Sequence, residues 1–429
     1  MMKRLLLICS ILLLLVALIF SCGGDSNIAK VQFWSFGGMP TMMKWAKERV
    51  ETFNQQHDSI KVIQGQKSWN MIRELLYTNF SAGTGPNVMR VHANYAAEFG
   101  EAGYFYPINR FPDFDSVKAW YQPNLLESCR YKDNYYGLPG TAIAFILACN
   151  KEMFDKEGLK PPKTWSEFRA AAKQLTKDID GDGSIDQWGL VLLGGDRGGF
   201  SYRLAPFIYK AGGTFLSDDL NNVTFNNPTS IKALQLFVDM FQKDKSITPG
   251  FLAYTMSEIN DLFCSNKVAM RIEGPWINCV VQDRSPGKEF YTVPIPVPDD
   301  RINQYDTAPT LQDMIMISIS AHSKYLNEAW EFAKYLRNNE ADMEWIRQDM
   351  GGFPTTLNAI NSTEEKPFPD FDVFAHELQY AKPWPAHPKM ISIVRNVIAP
   401  YCQKAIIGEL SAEQAWEKAA KEAQDIIED

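Results

Sequence analysis

The sequence predicts an α/β protein of two domains. Short runs with strand character recur between amphipathic runs at helical spacing, from residue 31 to the end of the chain. That alternation implies open sheets covered by helices on both faces. The 429 residues also exceed the ~250–300 at which a single hydrophobic core stops growing.

Lys3 and Arg4 precede an apolar run over residues 5–20, followed by Ser21-Cys22-Gly23-Gly24. A charged start, an apolar core and a small residue before the cut describe a secretory leader. The run is shorter than the ~20 apolar residues of a membrane span. Residues 31–36 alternate and enter Gly37-Gly38, as a first strand entering a loop would. Pro40 then opens a helix with Met43, Ala46, Val50 and Phe53 on one face. Residues 60–63 form a second strand, and residues 67–80 a helix ended by Gly83 and Gly85-Pro86. Residues 87–92 form a third strand, and 96–102 a helix stopped at Gly103. Ligands in such sheets sit beyond the carboxyl ends of the strands. This nominates the loop after Phe33, the loop after Val91 and the segment near Pro139.

Residues 136–149 read as a buried strand, with Asn150-Lys151 opening a short helical turn and Pro161-Pro162 a loop. Thr164-Trp-Ser-Glu167 is a capping box, in which the hydroxyl and the carboxylate each satisfy a free N–H at the helix start. A helix with Ile231, Leu234, Val238 and Phe241 follows Pro228, and a strand ends in Gly274-Pro-Trp276. Tyr291-Thr-Val-Pro-Ile-Pro296 is extended. A helix over 327–337 buries Ala329, Phe332, Ala333 and Leu336. The last helix opens on a second capping box, Ser411-Ala-Glu-Gln414, and carries Trp416, Ala419, Ala420 and Ala423 on one face.

Charge and cysteine usage exclude some functions. The formal net charge is −8, and losing Lys3 and Arg4 with the leader makes the remainder more acidic. Nucleic acid, which draws on clustered Lys and Arg, is not an expected partner. Cys129, Cys149, Cys264, Cys279 and Cys402 show no metal-ligand spacing. In an oxidising compartment Cys264 and Cys279 are the candidate disulfide pair. Asp178, Asp180, Asp182 and Asp186 occupy ligand positions of an EF-hand-type loop, with Gly183 at the turn. Gly189 stands where the bidentate Glu belongs, so they form only a weak calcium candidate. No cofactor motif is present.

Taken in this order, the segments from Tyr136 to Phe168, Gly274-Pro-Trp276 and the flanking helices resemble the carbohydrate-type solute-binding proteins of bacterial ABC importers, the maltose-binding-protein-like family. The resemblance covers nearly the whole chain after the leader. It implies a two-lobe periplasmic-binding-protein type II fold, each lobe a mixed sheet flanked by helices, with the ligand cleft between them. The expected division is a signal peptide over 1–21 and a tether over 22–27. Residues 28–140 with 292–350 form lobe 1, and 141–291 with 351–429 lobe 2. Ser21-Cys22 resembles a lipoprotein cleavage site, with Cys22 bearing the lipid, although Phe20 is bulkier than usual there. The family's role implies a monomeric, exported and membrane-anchored carrier, with no enzymatic activity. It would bind a sugar or oligosaccharide by hinged closure and deliver it to a permease served by a separate ATPase.

A sugar ring stacks its C–H face on an aromatic plane and needs polar partners for its hydroxyls. The candidates are Trp34 and Phe36, the latter expected exposed beside Gly37, then His92, Asn94 and Tyr95 after the third strand. Thr141 stands at the first crossover, where the family has an acidic contact. Tyr202 and Arg203, Trp276 and the Pro-flanked Trp384 complete the set. Each competes with a plain packing role, Trp34, His92 and Trp384 above all. A polyamine or glycerol phosphodiester would want clustered acids or cations, and only Arg90 and Arg203 lie near the nominated loops. A glycoside-active enzyme would need two facing carboxylates, and no Gly-x-Ser-x-Gly, His-Glu-x-x-His or phosphate loop occurs.

Overall fold

The computed structural model describes residues 28–36, 40–347, 351–362 and 370–429. The expected signal peptide, tether and lipid-bearing Cys22 lie outside the described residues. The chain begins with β1 (Ala29–Phe36), α1 (Pro40–Gln56), β2 (Ile60–Lys67), α2 (Ile72–Ser81), β3 (Val88–His92) and α3 (Tyr95–Glu101). β1 lies between β2 and β3, parallel to both. Because β2 runs on to Lys67, the helix expected from residue 67 starts later, and Trp69 falls on a single turn, Trp69–Met71.

The long apolar run after Tyr136 does not stay one strand. Leu138–Ala144 (β4) belongs to the first sheet and Ile146–Asn150 (β5) to a second, the change falling at Phe145. Every residue of both strands is buried. This is why the sequence shows a continuous apolar run with no alternation.

The capping box then starts α4 (Trp165–Gln174), in which Thr164 Oγ1 accepts the Glu167 N–H and Glu167 Oε2 accepts the Thr164 N–H. There follow β6 (Trp188–Val191), α5 (Arg197–Lys210), α6 (Pro228–Gln242), α7 (Met256–Cys264), β7 (Val268–Glu273), α8 (Ile277–Arg284) and β8 (Phe290–Pro294). The second sheet has the order β8-β5-β7-β6. Next, β9 (Gln312–Ile319) returns to the first sheet, antiparallel to β3 on one side and β4 on the other. Its order is therefore β2-β1-β3-β9-β4. α9 (Leu326–Leu336), α10 (Asn339–Arg347), α11 (Phe371–Tyr380), α12 (Ala399–Ile407) and α13 (Ala412–Glu428) complete the larger elements. The second capping box opens α13, with Trp416, Ala419 and Ala423 buried.

Strand pairing moves three expected boundaries. β4 stays in the first sheet to Ala144, so the first crossover is at Phe145 rather than after residue 140. β8 pairs with β5, so the return to the first lobe comes after Pro294, not at 292. Phe353 bridges to Ala142 and Thr356 to Tyr121, so residues 353–356 lie on the first lobe instead of opening the second. The reason is common to all three. Periodicity identifies a strand but not which edge it joins. The Cys264–Cys279 pair is also corrected, since the two cysteines are not joined in a disulfide. Cys264 ends α7, whereas Cys279 on α8 is buried, and its Sγ faces Gly351.

One buried network fixes the crossovers. Arg337 (3 % exposed) pairs with Asp342 (0 % exposed) and donates to the carbonyls of Pro139 and Gly140 at the start of β4. Asp342 Oδ2 accepts the backbone N–H groups of Thr355 and Thr356 at 2.8 and 2.9 Å. The Thr355 hydroxyl donates to Pro139 O at 3.1 Å. Tyr121 closes the set by donating its hydroxyl to Arg337 O at 2.6 Å. Asp342 lies in the first turn of α10, where the helix dipole favours a carboxylate. Asp342→Ala removes the buried carboxylate that faces this guanidinium and takes two backbone amides, and is expected to cost about 3–5 kcal/mol. A lowered urea midpoint of the circular-dichroism signal would report this, and an unchanged midpoint would refute it.

Candidate functional site

The parallel strand β3 ends at His92, at the carboxyl edge where open sheets hold ligands. In the first sheet His92 stands opposite Ile315, and Ile315 opposite Thr141. Residues directly opposite share a face. Ile315 and Ile143 pack into the core of the second lobe, so this face meets the other lobe. His92 Nδ1 is 2.8 Å from Oδ2 of the buried Asp313. The Trp69 ring lies 4.7 Å from His92 and 5.4 Å from Phe36, and it packs against the cores of both lobes.

From the second lobe, α5 brings in Tyr202. Its ring is 5.8 Å from His92, 6.1 Å from Phe145 and 5.6 Å from Trp384, and its oxygen accepts from Asn94 Nδ2 across the cleft. Phe145, the residue at which the chain changes sheets, also meets Trp276 edge-on at 5.9 Å. Gly351 holds φ +70°, and a Cβ there would stand 2.6 Å from Trp276 Cα, so the returning segment can pass Trp276 only as glycine.

Among the described residues, four buried polar atoms of this cluster find no hydrogen-bond partner: Asn94 Oδ1, Thr141 Oγ1, Trp276 Nε1 and Trp384 Nε1. Buried polar groups are nearly always paired, and each left unpaired costs about 1–3 kcal/mol. Burial, reinforced by the Asp313 charge, pushes the Tyr202 hydroxyl well above its ordinary pKa, so it stays a donor at neutral pH. Arg90 donates to Phe36 O at 2.9 Å and lies over the Trp69 ring. Burial lowers its pKa to about 9, with Arg337 adding to the shift and Asp313 opposing it.

The structure thus brings together His92, Asn94, Thr141, Tyr202 and Trp276. Other candidates fall elsewhere. Phe36, expected exposed, is 1 % exposed, because β1 carries it inward against Trp69. Trp34 is half-buried over the sheet edge, under the Lys67 ammonium at 4.8 Å. Tyr95 is buried behind His92 and against Phe99. Arg203 points into the second lobe, where it pairs with Glu273 at 2.5 Å and donates to Ile272 O and Gly199 O, so it is no cleft residue. The α5 periodicity explains this, since Tyr202 and Arg203 are adjacent and must face different sides. Trp384 is buried against Phe215 and supports Tyr202 from behind.

Asp178, Asp180 and Asp186 bring carboxylate oxygens within 4.8 Å of one another, without Asp182. Those of Asp178 and Asp186 already accept loop N–H groups of Gly181, Gly183 and Ile179. The sequence reading missed Trp69, Phe145 and Asp313. Of these only Asp313 carried a signal, as an acid in an otherwise uncharged strand.

The family model for bacterial extracellular solute-binding proteins matches residues 48–370. Binding proteins of Brucella abortus and Brucella suis are 26% identical over 271 residues, 62% of this chain and 62% of theirs. The chain thus spans less than two thirds of the length of these curated relatives. A multiple sugar-binding protein of Streptococcus mutans is 23% identical over 418 residues, 93% of each chain. Among solved structures, an ABC transporter solute-binding protein of Thermotoga lettingae, bound to α-D-tagatose, superposes with a TM-score of 0.82 at 24% identity. The superposition covers 93% of this chain and 100% of that one. At that identity the likeness speaks for the two-lobed fold. The family match covers well over half of the sequence, and the chain belongs to the bacterial extracellular solute-binding proteins.

Proposed function

We propose that this chain is the extracytoplasmic substrate-binding component of an ABC importer and captures a sugar or oligosaccharide between its lobes. The observation that carries this reading is the set of aromatic rings interleaved with unpaired buried polar atoms where the lobes meet. Trp69, Tyr202 and Trp276 supply planes for sugar C–H faces. Asn94 Oδ1, Thr141 Oγ1 and Trp276 Nε1 supply partners for hydroxyls. The name of the Streptococcus relative and the tagatose on the Thermotoga protein support the same class of ligand.

A ligand held by both lobes binds the closed form better and shifts the balance toward it. Phe145 and the crossover after Pro294 are the places for that motion. The closed pair of lobes would then be read by a permease whose ATPase is a separate subunit, and this chain acts as a monomeric carrier without chemistry of its own. Among the described residues no helix is long and apolar enough to cross a membrane. A lipid on Cys22 would hold the carrier at the cell membrane, facing the periplasm or exterior.

A thermal-shift panel of mono- and oligosaccharides, glycerol phosphodiesters and polyamines tests the reading. A true ligand at a hundredfold excess over Kd stabilises by roughly 2.7 kcal/mol. A shift with one sugar class, the sugar recovered intact, is the expected result, and a shift only with a charged non-sugar, or a cleaved sugar, would sink it. Two variants separate wall from core. Trp276→Ala is expected to weaken that sugar by about 1 kcal/mol or more through lost stacking, measured by titration calorimetry, with the unfolding midpoint nearly kept. Trp384→Ala is expected to lose about 3–5 kcal/mol of stability through the cavity it leaves, seen as a lower denaturation midpoint.

A further inference from the structure

We infer that Asp313 is a positioning residue that fixes the tautomer of His92, so that the imidazole meets the ligand as a hydrogen-bond acceptor through Nε2. The ligand half of this inference rests on the sugar-binding reading above. β9 is buried at all eight positions, and Asp313 is its one charged residue. A carboxylate so placed is costly unless paired, and its partners hold it in one orientation. Oδ1 accepts the Met314 N–H at 2.9 Å, and Oδ2 lies 2.8 Å from His92 Nδ1. A carboxylate at Nδ1 requires that nitrogen to carry the proton. In the neutral ring the lone pair is then at Nε2.

Among the described residues nothing hydrogen-bonds Nε2, and the His92 side chain keeps 25 % exposure between the lobes. Nε2 and Asn94 Oδ1 accept, while the Tyr202 hydroxyl, its oxygen already taking Asn94 Nδ2, and Trp276 Nε1 donate. This mixed set fits neighbouring hydroxyls of an uncharged polyol, each of which donates and accepts. A phosphate or carboxylate, able only to accept, would leave Nε2 and Asn94 Oδ1 unmatched. Asp313 therefore selects for neutral sugars by holding His92 in its accepting form.

The test is long-range ¹H–¹⁵N NMR of the imidazole nitrogens in the full chain at about pH 8, where an ordinary imidazole is neutral. The chain has 5 histidines, and His92→Gln assigns the signal. A protonated Nδ1 with a lone pair on Nε2 is expected; a protonated Nε2 overturns the inference without any variant or ligand. In Asp313→Asn the carbonyl stays on the Met314 N–H and an NH₂ faces Nδ1, so the tautomer is expected to invert, and an unchanged tautomer overturns the positioning role.

Titration with D-tagatose, maltotriose, mannitol and sn-glycerol 3-phosphate then reads the ligand half. A neutral sugar that binds should move Nε2 rather than Nδ1, and Asp313→Asn should weaken it about three- to tenfold. A sugar that binds with Nε2 unmoved refutes the inference and leaves the sugar-binding reading intact. If only the phosphate ester binds, both fall. If no probe shifts any signal, the sugar-binding reading and the ligand half fall together, and the free-protein spectrum still decides the tautomer.

Discussion

The buried pair of Arg337 and Asp342 ties the start of β4 to the returning segment within the first lobe, because it is attached to backbone rather than to side chains. The guanidinium grips the carbonyls of Pro139 and Gly140, and the carboxylate grips the amides of Thr355 and Thr356. Both gripped segments lie beside crossovers, so the start of β4 and the returning segment are tied to α10 at a fixed spacing. A buried ion pair is poor evidence of net stability, since desolvation offsets most of its attraction. Its contribution here is to geometry: it sets where β4 begins, and hence where Thr141 and Phe145 fall.

The second lobe uses the same device. Glu273 at the end of β7 takes both Arg203 and Arg271, all three almost fully buried. Lys210 on α5 and Glu377 on α11 lie 2.8 Å apart with essentially no exposure. Burial lowers the pKa of Lys210 and raises that of Glu377, in each case against the pull of the partner's charge. These pairs anchor α5 from behind. With Arg203 and Lys210 tied inward, Tyr202 on the same helix is left to face His92 and Asn94. Rigid walls and a single-residue change of sheets at Phe145 suit a fold whose work is to bring two surfaces together around a small molecule.

Much of this was legible in the residues. Both capping boxes, Thr164 with Glu167 and Ser411 with Gln414, form as written, because a capping box is a local exchange of hydrogen bonds needing only four residues. The helices from Pro40 and Pro228 form for the same reason, and their apolar faces are buried or half-buried except at Met43, which is exposed. His92, Asn94, Thr141, Tyr202 and Trp276 were singled out by their place after strands or at crossovers, and these five converge. Arg203 was misjudged because it adjoins Tyr202 on α5 and the two face different sides, and Phe36 because β1 carries it inward against Trp69. Trp69 was hidden in an expected helix, since the length of β2 depends on its pairing with β1.

The sequence by itself determined the alternating elements, their caps, the two-domain size and the resemblance to a solute-binding family, all of which depend on local chemistry or on order along the chain. Only the tertiary structure decided which sheet each half of the 138–150 run joins, that residues 353–356 return to the first lobe, and that Asp313 stands against His92. Those are contacts between residues tens to hundreds of positions apart. They are set by strand pairing and by the burial of charge in partnered form, and no window of sequence contains both partners.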